Sequence, residues 1–381
     1  MKKIDLNLSG NGVNIFGYAL ANMGLGQGMR LGARALQAAG LEVGVHPVST
    51  HGLHVEDDLS IEDLIVSSSE FRFNLFYINA DQTLHLYRDI PKEVVDTRYN
   101  IGIWAWELSI FPNAWLGAFD FVDEIWATSQ FICDAISAKT DKPVKVIPYP
   151  VHGLDTGFLD RNHFGISPDK YSFLVTFDLN SLIARKNPIA AVNAFRSAFP
   201  ASEKDVQLIL KFHSGMGSFS KERERLLDIA NADERIVVID RVLSRLEIES
   251  LQYCCDVYVS LHRSEGFGFN IAECMRLGKP VIATNYSGSV DFMSVENSCP
   301  VPYTLIPLQD GDYPFWSGQS WAEPDVEIAA DYMQKLYMDS EYRRQLGSKA
   351  SERIRKDLSF KSVGLKMKTR LQEINRILDV N

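Results

Sequence analysis

The residues in this sequence best suited to chemistry are two carboxylates and the glycines between them. Glu265 is followed at once by Gly266-Phe267-Gly268, and Glu273 comes eight residues after Glu265. A carboxylate accepts two hydrogen bonds side by side, which suits a vicinal diol such as that of a ribose or a hexose. Glycine lets the backbone turn sharply and approach a ligand closely. Upstream, Arg185 and Lys186 precede Asn187-Pro188, and Lys211 follows an apolar run. These cations suit an anion.

The flanking sequence says how such residues are held. Residues 257–261 are an apolar run and read as a buried strand, with Glu265 beyond its carboxyl end. Residues 270–277 read as a helix closed by Gly278 and followed by Pro280, and residues 281–284 as the next strand. A strand, a glycine loop and a helix N-terminus is how α/β folds hold phosphate groups. Asn187 is a fair N-cap and Pro188 a good first helical residue, so Arg185 and Lys186 stand at a helix N-terminus. Positive charge is locally unfavourable there, and a nearby anion would offset it.

Glu265-x7-Glu273, Gly-Phe-Gly after the first glutamate and Gly278-Lys279-Pro280-Val281-Ile282-Ala283-Thr284 after the helix resemble one known motif. It is the paired-glutamate motif of retaining, two-domain (GT-B) glycosyltransferases of the sucrose synthase and mannosyltransferase family, the glycosyl transferases group 1. The resemblance implies Glu273 on a nucleotide ribose. It implies Glu265, with the backbone N–H groups of Phe267, Gly268 and Phe269, on the transferred sugar. Lys186 matches the family's diphosphate-binding lysine. The arginine that usually precedes it is missing, with Asn180 near that place; Arg185 or Lys211 would substitute. The turn 240–243 is where relatives hold the nucleotide base.

The first half follows the same plan with weaker signals. Residues 13–18 read as a strand, 19–27 as a loop carrying Gly24-Leu25-Gly26, 28–39 as a helix and 41–47 as a strand, a doubly wound start. The family places a glycine loop here, facing the donor phosphate and the acceptor, and Gly24, Leu25 and Gly26 match it by position and composition. Further strands are expected at 73–78, 99–104, 121–127 and 144–148. Many relatives carry a histidine near the acceptor after the corresponding strand; this chain has Trp104-Ala-Trp106-Glu107. Glu107 therefore reads either as a contact to acceptor or sugar or as a salt-bridged structural glutamate. The aromatic run Trp104, Trp106, Phe111 and Trp115 reads as core and cleft wall or as a sugar-stacking surface.

Size and charge bound the rest. The chain has 381 residues, enough for two domains, with 46% apolar residues and a net charge of −10. That acidity argues against nucleic acid as a partner. Residues 341–370 are the exception, with ten Lys and Arg against three Asp and Glu. They read as a solvated helical face or as a surface for anionic lipid. No run has the roughly 20 apolar residues of a membrane span, and the N-terminal residues lack the apolar core of a signal peptide. Five cysteines, two of them adjacent, give neither a disulfide framework nor a zinc spacing, so a reducing cytoplasm is expected, with peripheral contact at the inner membrane.

The expected fold is α/β, two doubly wound Rossmann-like domains facing a cleft. Residues 1–150 form the acceptor-side domain, 151–168 a linker and 169–359 the nucleotide-sugar domain, with helix 360–381 packing back on the first. By resemblance the chain is a retaining glycosyltransferase. It moves a mannose- or glucose-type hexose from a nucleoside-diphosphate sugar to a glycan or lipid-linked acceptor in bacterial envelope polysaccharide synthesis. The rival readings are a non-catalytic sugar-nucleotide-binding partner and a sugar-nucleotide 2-epimerase. No cofactor and no metal are expected: Asp310-Gly311-Asp312 has the spacing of a metal-binding aspartate pair, but with Tyr313-Pro314 it reads as a surface turn.

Overall fold

The computed structural model describes residues 4–51, 55–85, 90–179, 182–213 and 220–380. They divide into two compact units, residues 1–152 with 356–381 and residues 153–355.

Unit 1 runs β1 (Ser9–Gly17), α1 (Gly24–Ala38), β2 (Glu42–Pro47), β3 (Phe71–Tyr77), α2 (Ala80–Thr83), α3 (Lys92–Asp96), β4 (Tyr99–Trp104), β5 (Glu124–Ala127), α4 (Gln130–Ser137) and β6 (Val144–Val146). The strands are parallel in the order β2-β1-β3-β4-β5-β6. The order reverses between β1 and β3, which places a ligand crevice beyond the carboxyl ends of those two strands. Asn14, Asn74 and Asn100 lie side by side across β1, β3 and β4, fully buried. Asn14 Nδ2 donates to Asn74 Oδ1 at 2.9 Å, and Asn74 Nδ2 to Asn100 Oδ1 at 3.0 Å. A one-residue slip would strand all three amides in an apolar core, so the row fixes the register.

The loop expected at 19–27 is shorter than the sequence suggested. Ala21 N–H bonds Tyr18 O, Met23 N–H bonds Ala21 O, and Arg30 Nη1 donates to Ala19 O and Ala21 O at 2.9 and 3.0 Å. The turn is thereby closed by residue 23, and Gly24, Leu25 and Gly26 are the first turn of α1. The aromatic run is core. Trp104 stacks on Phe111 at 6.0 Å and Trp106 meets Trp115 edge-on at 5.0 Å, with Trp104, Trp106 and Phe111 buried.

Unit 2 runs β7 (Tyr171–Thr176), α5 (Ile183–Lys186), α6 (Pro188–Ala198), β8 (Val206–Phe212), α7 (Ser220–Asn231), β9 (Ile236–Asp240), α8 (Arg245–Cys254), β10 (Val257–Ser260), α9 (Phe269–Arg276), β11 (Val281–Thr284), β12 (Cys299–Val301), β13 (Tyr303–Pro307), β14 (Ser320–Pro324), α10 (Val326–Met338) and α11 (Ser340–Asp357). The main sheet is parallel, in the order β12-β11-β10-β7-β8-β9. Its chain order reverses between β7 and β10, as in dinucleotide-binding folds. Phe173, Leu208, Phe195, Ile282 and Met333 fill the core on one face. The antiparallel pair β13–β14 is an addition that the sequence reading missed.

Of residues 151–168, expected as a linker, 151 and 152 belong to unit 1 and 153–168 to unit 2. Arg161 donates to Lys170 O at 2.7 Å and Cys254 O at 2.9 Å and pairs with Asp256, while Arg276 donates to Gly153 O at 2.7 Å. Two arginines, Arg276 buried and Arg161 half-buried, thus take up the polar backbone of a stretch that has no ladder of its own.

The last helix, α12 (Phe360–Val380), belongs to unit 1 and buries Val363, Met367, Leu371 and Ile374. Gly364 lies directly against Ala35 O, so α12 crosses α1 at a separation that admits no Cβ. Lys368 Nζ takes Ala39 O at 2.8 Å, satisfying a carbonyl at the end of α1. Among the described residues no helix is long and apolar enough to cross a membrane.

Candidate active site

The segments that leave β7 and β10, the strands either side of the switch in unit 2, meet each other. Arg185 Nη1 donates to Ser264 O at 2.8 Å, Arg263 N–H to Arg185 O at 2.8 Å, and Arg263 Nη1 to Ala184 O at 2.9 Å. This stitching brings the two predicted cations to the first predicted carboxylate. Lys186 Nζ is ion-paired with Glu265 Oε1, and Arg185 Nη1 lies 3.3 Å from Glu265 Oε2. The anion that Arg185 and Lys186 require is therefore supplied by Glu265 itself. The helix α5 that carries them is bracketed by Leu182 (φ 61°) and Asn187 (φ 49°). A left-handed Asn187 corrects the expected cap: its side chain makes no capping bond, and α6 starts on Pro188 without one.

Glu265 is 9% exposed. Burial pushes its carboxyl up, but the Lys186 and Arg185 cations outweigh burial and hold it at about 2. Behind it, His262 is fully buried. Its Nε2 faces Tyr286 O at 3.3 Å and so carries the proton, while Nδ1 faces Ser260 Oγ at 3.0 Å. Burial drives this imidazole down to about 4.

The backbone at Glu265 is clamped from both directions. Its N–H donates to Ser287 Oγ at 2.8 Å, and Gly288 N–H donates to its carbonyl at 2.8 Å. A Cβ at residue 288 would overlap Gly266 O, so only glycine allows this approach. Ser287 holds φ 66°, strain of about 1–2 kcal/mol for a non-glycine residue that the two clamping bonds offset. Gly268 then turns the chain with φ 94° into α9. No side chain caps that helix and no acidic residue stands in its first turn, so its N-terminal dipole favours an anion. Phe267 and Phe269 pack edge-on at 5.1 Å beside this turn.

Glu273, on α9, is 5% exposed. Arg245 Nη1 pairs with its Oε1 at 2.8 Å, and Gln252 Nε2 donates to its Oε2 at 3.0 Å. Arg245, Gln252, Ser287 and His262 were not among the predicted site residues. Ser287 and His262 had a sequence signal, since both lie next to the glutamate motif at strand ends. Arg245 and Gln252 had none, because α8 meets α9 only through the fold.

The other predicted residues lie elsewhere. Lys211 is the last but one residue of β8, buried, beside the carboxylates of Asp178 and Asp240 rather than in the Lys186–Glu265 cluster, and burial lowers its ammonium from the ordinary value. Gly24, Leu25 and Gly26 begin α1 in unit 1. Glu107 follows β4 in unit 1, half-buried; the Tyr149 hydroxyl is pushed up by burial, with Tyr77 and Glu107 adding to it. Asn180 lies outside the described residues. Asp310 and Asp312 form the turn between β13 and β14, where Gly311 has φ 85° and Asp312 Oδ2 accepts Gln309 N–H at 2.7 Å.

Residues 170–353 match the family model for glycosyl transferases group 1. No curated protein matches the chain by sequence. Among solved structures, HepE of Anabaena, in complex with UDP and glucose, is similar with a TM-score of 0.68 at 14% identity, over 95% of this chain and 100% of that one. Sucrose-phosphate synthase of Thermosynechococcus elongatus gives 0.65 at 16% identity, over 95% and 99%. The pneumococcal O-GlcNAc transferase GtfA, in complex with UDP and GlcNAc, gives 0.56 at 12% identity, over 79% and 56%. At these identities the likeness is one of fold, two Rossmann-like α/β units of GT-B type. The Glu265-x7-Glu273 motif lies inside the matched segment, so unit 2 is similar to the glycosyl transferases group 1 domain.

Proposed function

We propose that the chain is a retaining glycosyltransferase that moves a hexose of glucose or mannose type from a nucleoside-diphosphate sugar to a glycan or lipid-linked acceptor, in bacterial envelope polysaccharide synthesis. The observation that carries this reading is the Lys186–Glu265–Arg185 cluster at the switch of the unit 2 sheet. Donor diphosphate takes the charge of Lys186 and Arg185 and the N-terminus of α9. Glu265, released from part of that pairing, accepts hydroxyls of the transferred sugar, and Glu273 accepts the ribose diol. As the bond to the anomeric carbon breaks, negative charge grows on the leaving phosphate oxygen, and fixed cations stabilise that state more than the ground state. The acceptor hydroxyl attacks from the face the diphosphate leaves, giving up its proton to the departing phosphate.

HepE and GtfA were both captured with UDP, which makes uridine-diphosphate hexoses the first donors to try. A cytoplasmic site of action at the inner membrane surface goes with this reading, the cations of α11, such as Arg344 and Lys349, meeting anionic lipid. The test is to incubate purified protein with nucleotide sugars, with and without glycan and lipid-linked acceptors, and to take proton NMR of the earliest product. Retained anomeric configuration is expected. An inverted linkage overturns the mechanism, and conversion of the donor without acceptor makes the protein an epimerase.

A further inference from the structure

We propose that Arg245 positions Glu273 for a ribose diol and thereby sets a preference for ribonucleotides over deoxyribonucleotides. This rests on the reading that Glu273 holds the donor ribose. Arg245 opens α8 directly after the N-cap Ser244, which with Glu247 forms a capping box, so its backbone is fixed at the helix start. Its guanidinium is a fork between two buried carboxylates. Nη1 lies 2.8 Å from Glu273 Oε1 and Nε 2.6 Å from Glu249 Oε1. Gln252, about two turns along the same helix and 1% exposed, holds the other oxygen of Glu273 at 3.0 Å and Asn270 Oδ1 at 3.2 Å.

A glutamate carboxyl otherwise turns about a broad, two-fold terminal torsion. With one donor on each oxygen, both from α8, the carboxylate plane is set before any ligand arrives. A diol needs both oxygens of that plane at once, whereas a deoxyribose engages one. The planar guanidinium fork is what makes the orientation rigid; a lysine has the charge without the fork. The Arg245 side chain is also 43% exposed, so its removal opens no large cavity.

The experiment is calorimetry with UDP, GDP and ADP and their 2′-deoxy counterparts on wild type, Arg245→Ala and Arg245→Lys, with donor kinetics alongside. Wild type is expected to prefer the ribonucleotide by about tenfold or more, the worth of one charged hydrogen bond. Arg245→Ala should bring the ratio to within about twofold and raise donor KM about tenfold, with kcat within about threefold of wild type, since binding common to ground and transition states is lost. Arg245→Lys should fall between. An unchanged ribo-to-deoxy ratio in Arg245→Ala overturns the inference. If the alanine variant does not fold, an unchanged ratio in Arg245→Lys does so. A wild-type protein that binds both sugars equally overturns instead the assignment of Glu273 to the ribose.

Discussion

Lys186, half-buried, and Glu265, buried, 79 residues apart in the sequence, form an ion pair where the segments beyond β7 and β10 meet. Neither charge is stable alone at that depth, and each is the other's compensation. A donor diphosphate competes with Glu265 for Lys186 and Arg185. Glu265→Gln therefore removes an internal competitor: affinity for free nucleoside diphosphate should be equal or higher than wild type, while transfer falls by about 100-fold or more as the sugar loses its charged acceptor. Lys186→Ala should do the reverse in part, lowering turnover more than diphosphate affinity because the charge it meets grows in the transition state. Calorimetry paired with initial rates reads both, and weaker diphosphate binding in Glu265→Gln would count against the competition.

Glu273→Gln replaces one acceptor of the diol by a donor. The loss of a charged hydrogen bond, roughly 1.5–3 kcal/mol, should weaken nucleoside diphosphate binding about tenfold or more. Arg245 would then face a neutral amide, so Arg245→Ala should cost little further affinity in the Glu273→Gln background. A full additional loss in the double variant would mean the two residues act independently.

How much of this was legible in the sequence depends on how local each feature is. The Glu265–Glu273 spacing, the glycine turn at Gly268 and helix α9 sit within one strand–loop–helix unit, and local pattern was enough to place them. The strands at 257–261 and 281–284 and most of those in the unit 1 sheet were likewise readable, because buried parallel strands are continuous apolar runs, whereas the three-residue edge strand β12 was not. Lys186 and Arg185 were readable as cations at a helix start, but their partner was not, since it arrives from a strand 79 residues on. Arg245 was unreadable for the same reason: on its own helix it is one charge among Glu247 and Glu249 in a solvated face. The pair β13–β14 was missed because Thr304, Leu305 and Ile306 do not alternate cleanly with the partner strand's residues, and only pairing makes them a strand.

His262 sets a pH limit on stability. Its folded value is about 4, against about 6.5 for a free imidazole. Between those values the unfolded chain binds a proton that the folded chain refuses. Stability is therefore complete above about pH 6.5, declines as the pH falls through the window and levels off below about 4. The total loss is about 3 kcal/mol. Glu265 adds a separate loss at lower pH, between the ordinary carboxyl range and about 2, because its folded value is depressed. Urea unfolding of unit 2 from pH 7 to 4 should show the first decline in wild type and a flatter profile in His262→Gln. Identical profiles would mean that His262 is not buried neutral.

Arg370 latches α12 to the sheet of unit 1. It donates through Nε and Nη2 to both oxygens of Glu124, at 2.9 and 2.7 Å, and Glu124 is fully buried. Trp126 Nε1 supplies a further bond to Glu124 at 2.9 Å. Removing the arginine leaves a buried carboxylate without its counter-charge, which costs about 3–5 kcal/mol in such settings. Arg370→Ala should lower the melting temperature of unit 1 markedly, and Glu124→Gln with Arg370→Met should recover most of the loss. An Arg370→Ala variant as stable as wild type would mean that α12 is held by its apolar face alone.

Asp310 and Asp312 have the spacing of a pair that could hold a divalent cation against a diphosphate. Their surroundings point elsewhere: Asp312 N–H bonds Gln309 O at 3.1 Å while its carboxylate takes Gln309 N–H at 2.7 Å, which closes a turn around Gly311. One of the two carboxylates is thus committed to its own backbone. The diphosphate charge has other partners in Lys186, Arg185 and the start of α9, fixed cations and dipoles that serve the role a bound metal serves elsewhere. Transfer should therefore survive excess chelator, and Asp310→Asn with Asp312→Asn should keep most of the wild-type rate. Loss of turnover in chelator, with restoration by manganese or magnesium and a dead double variant, would place a metal on those aspartates and move the phosphate site away from Lys186.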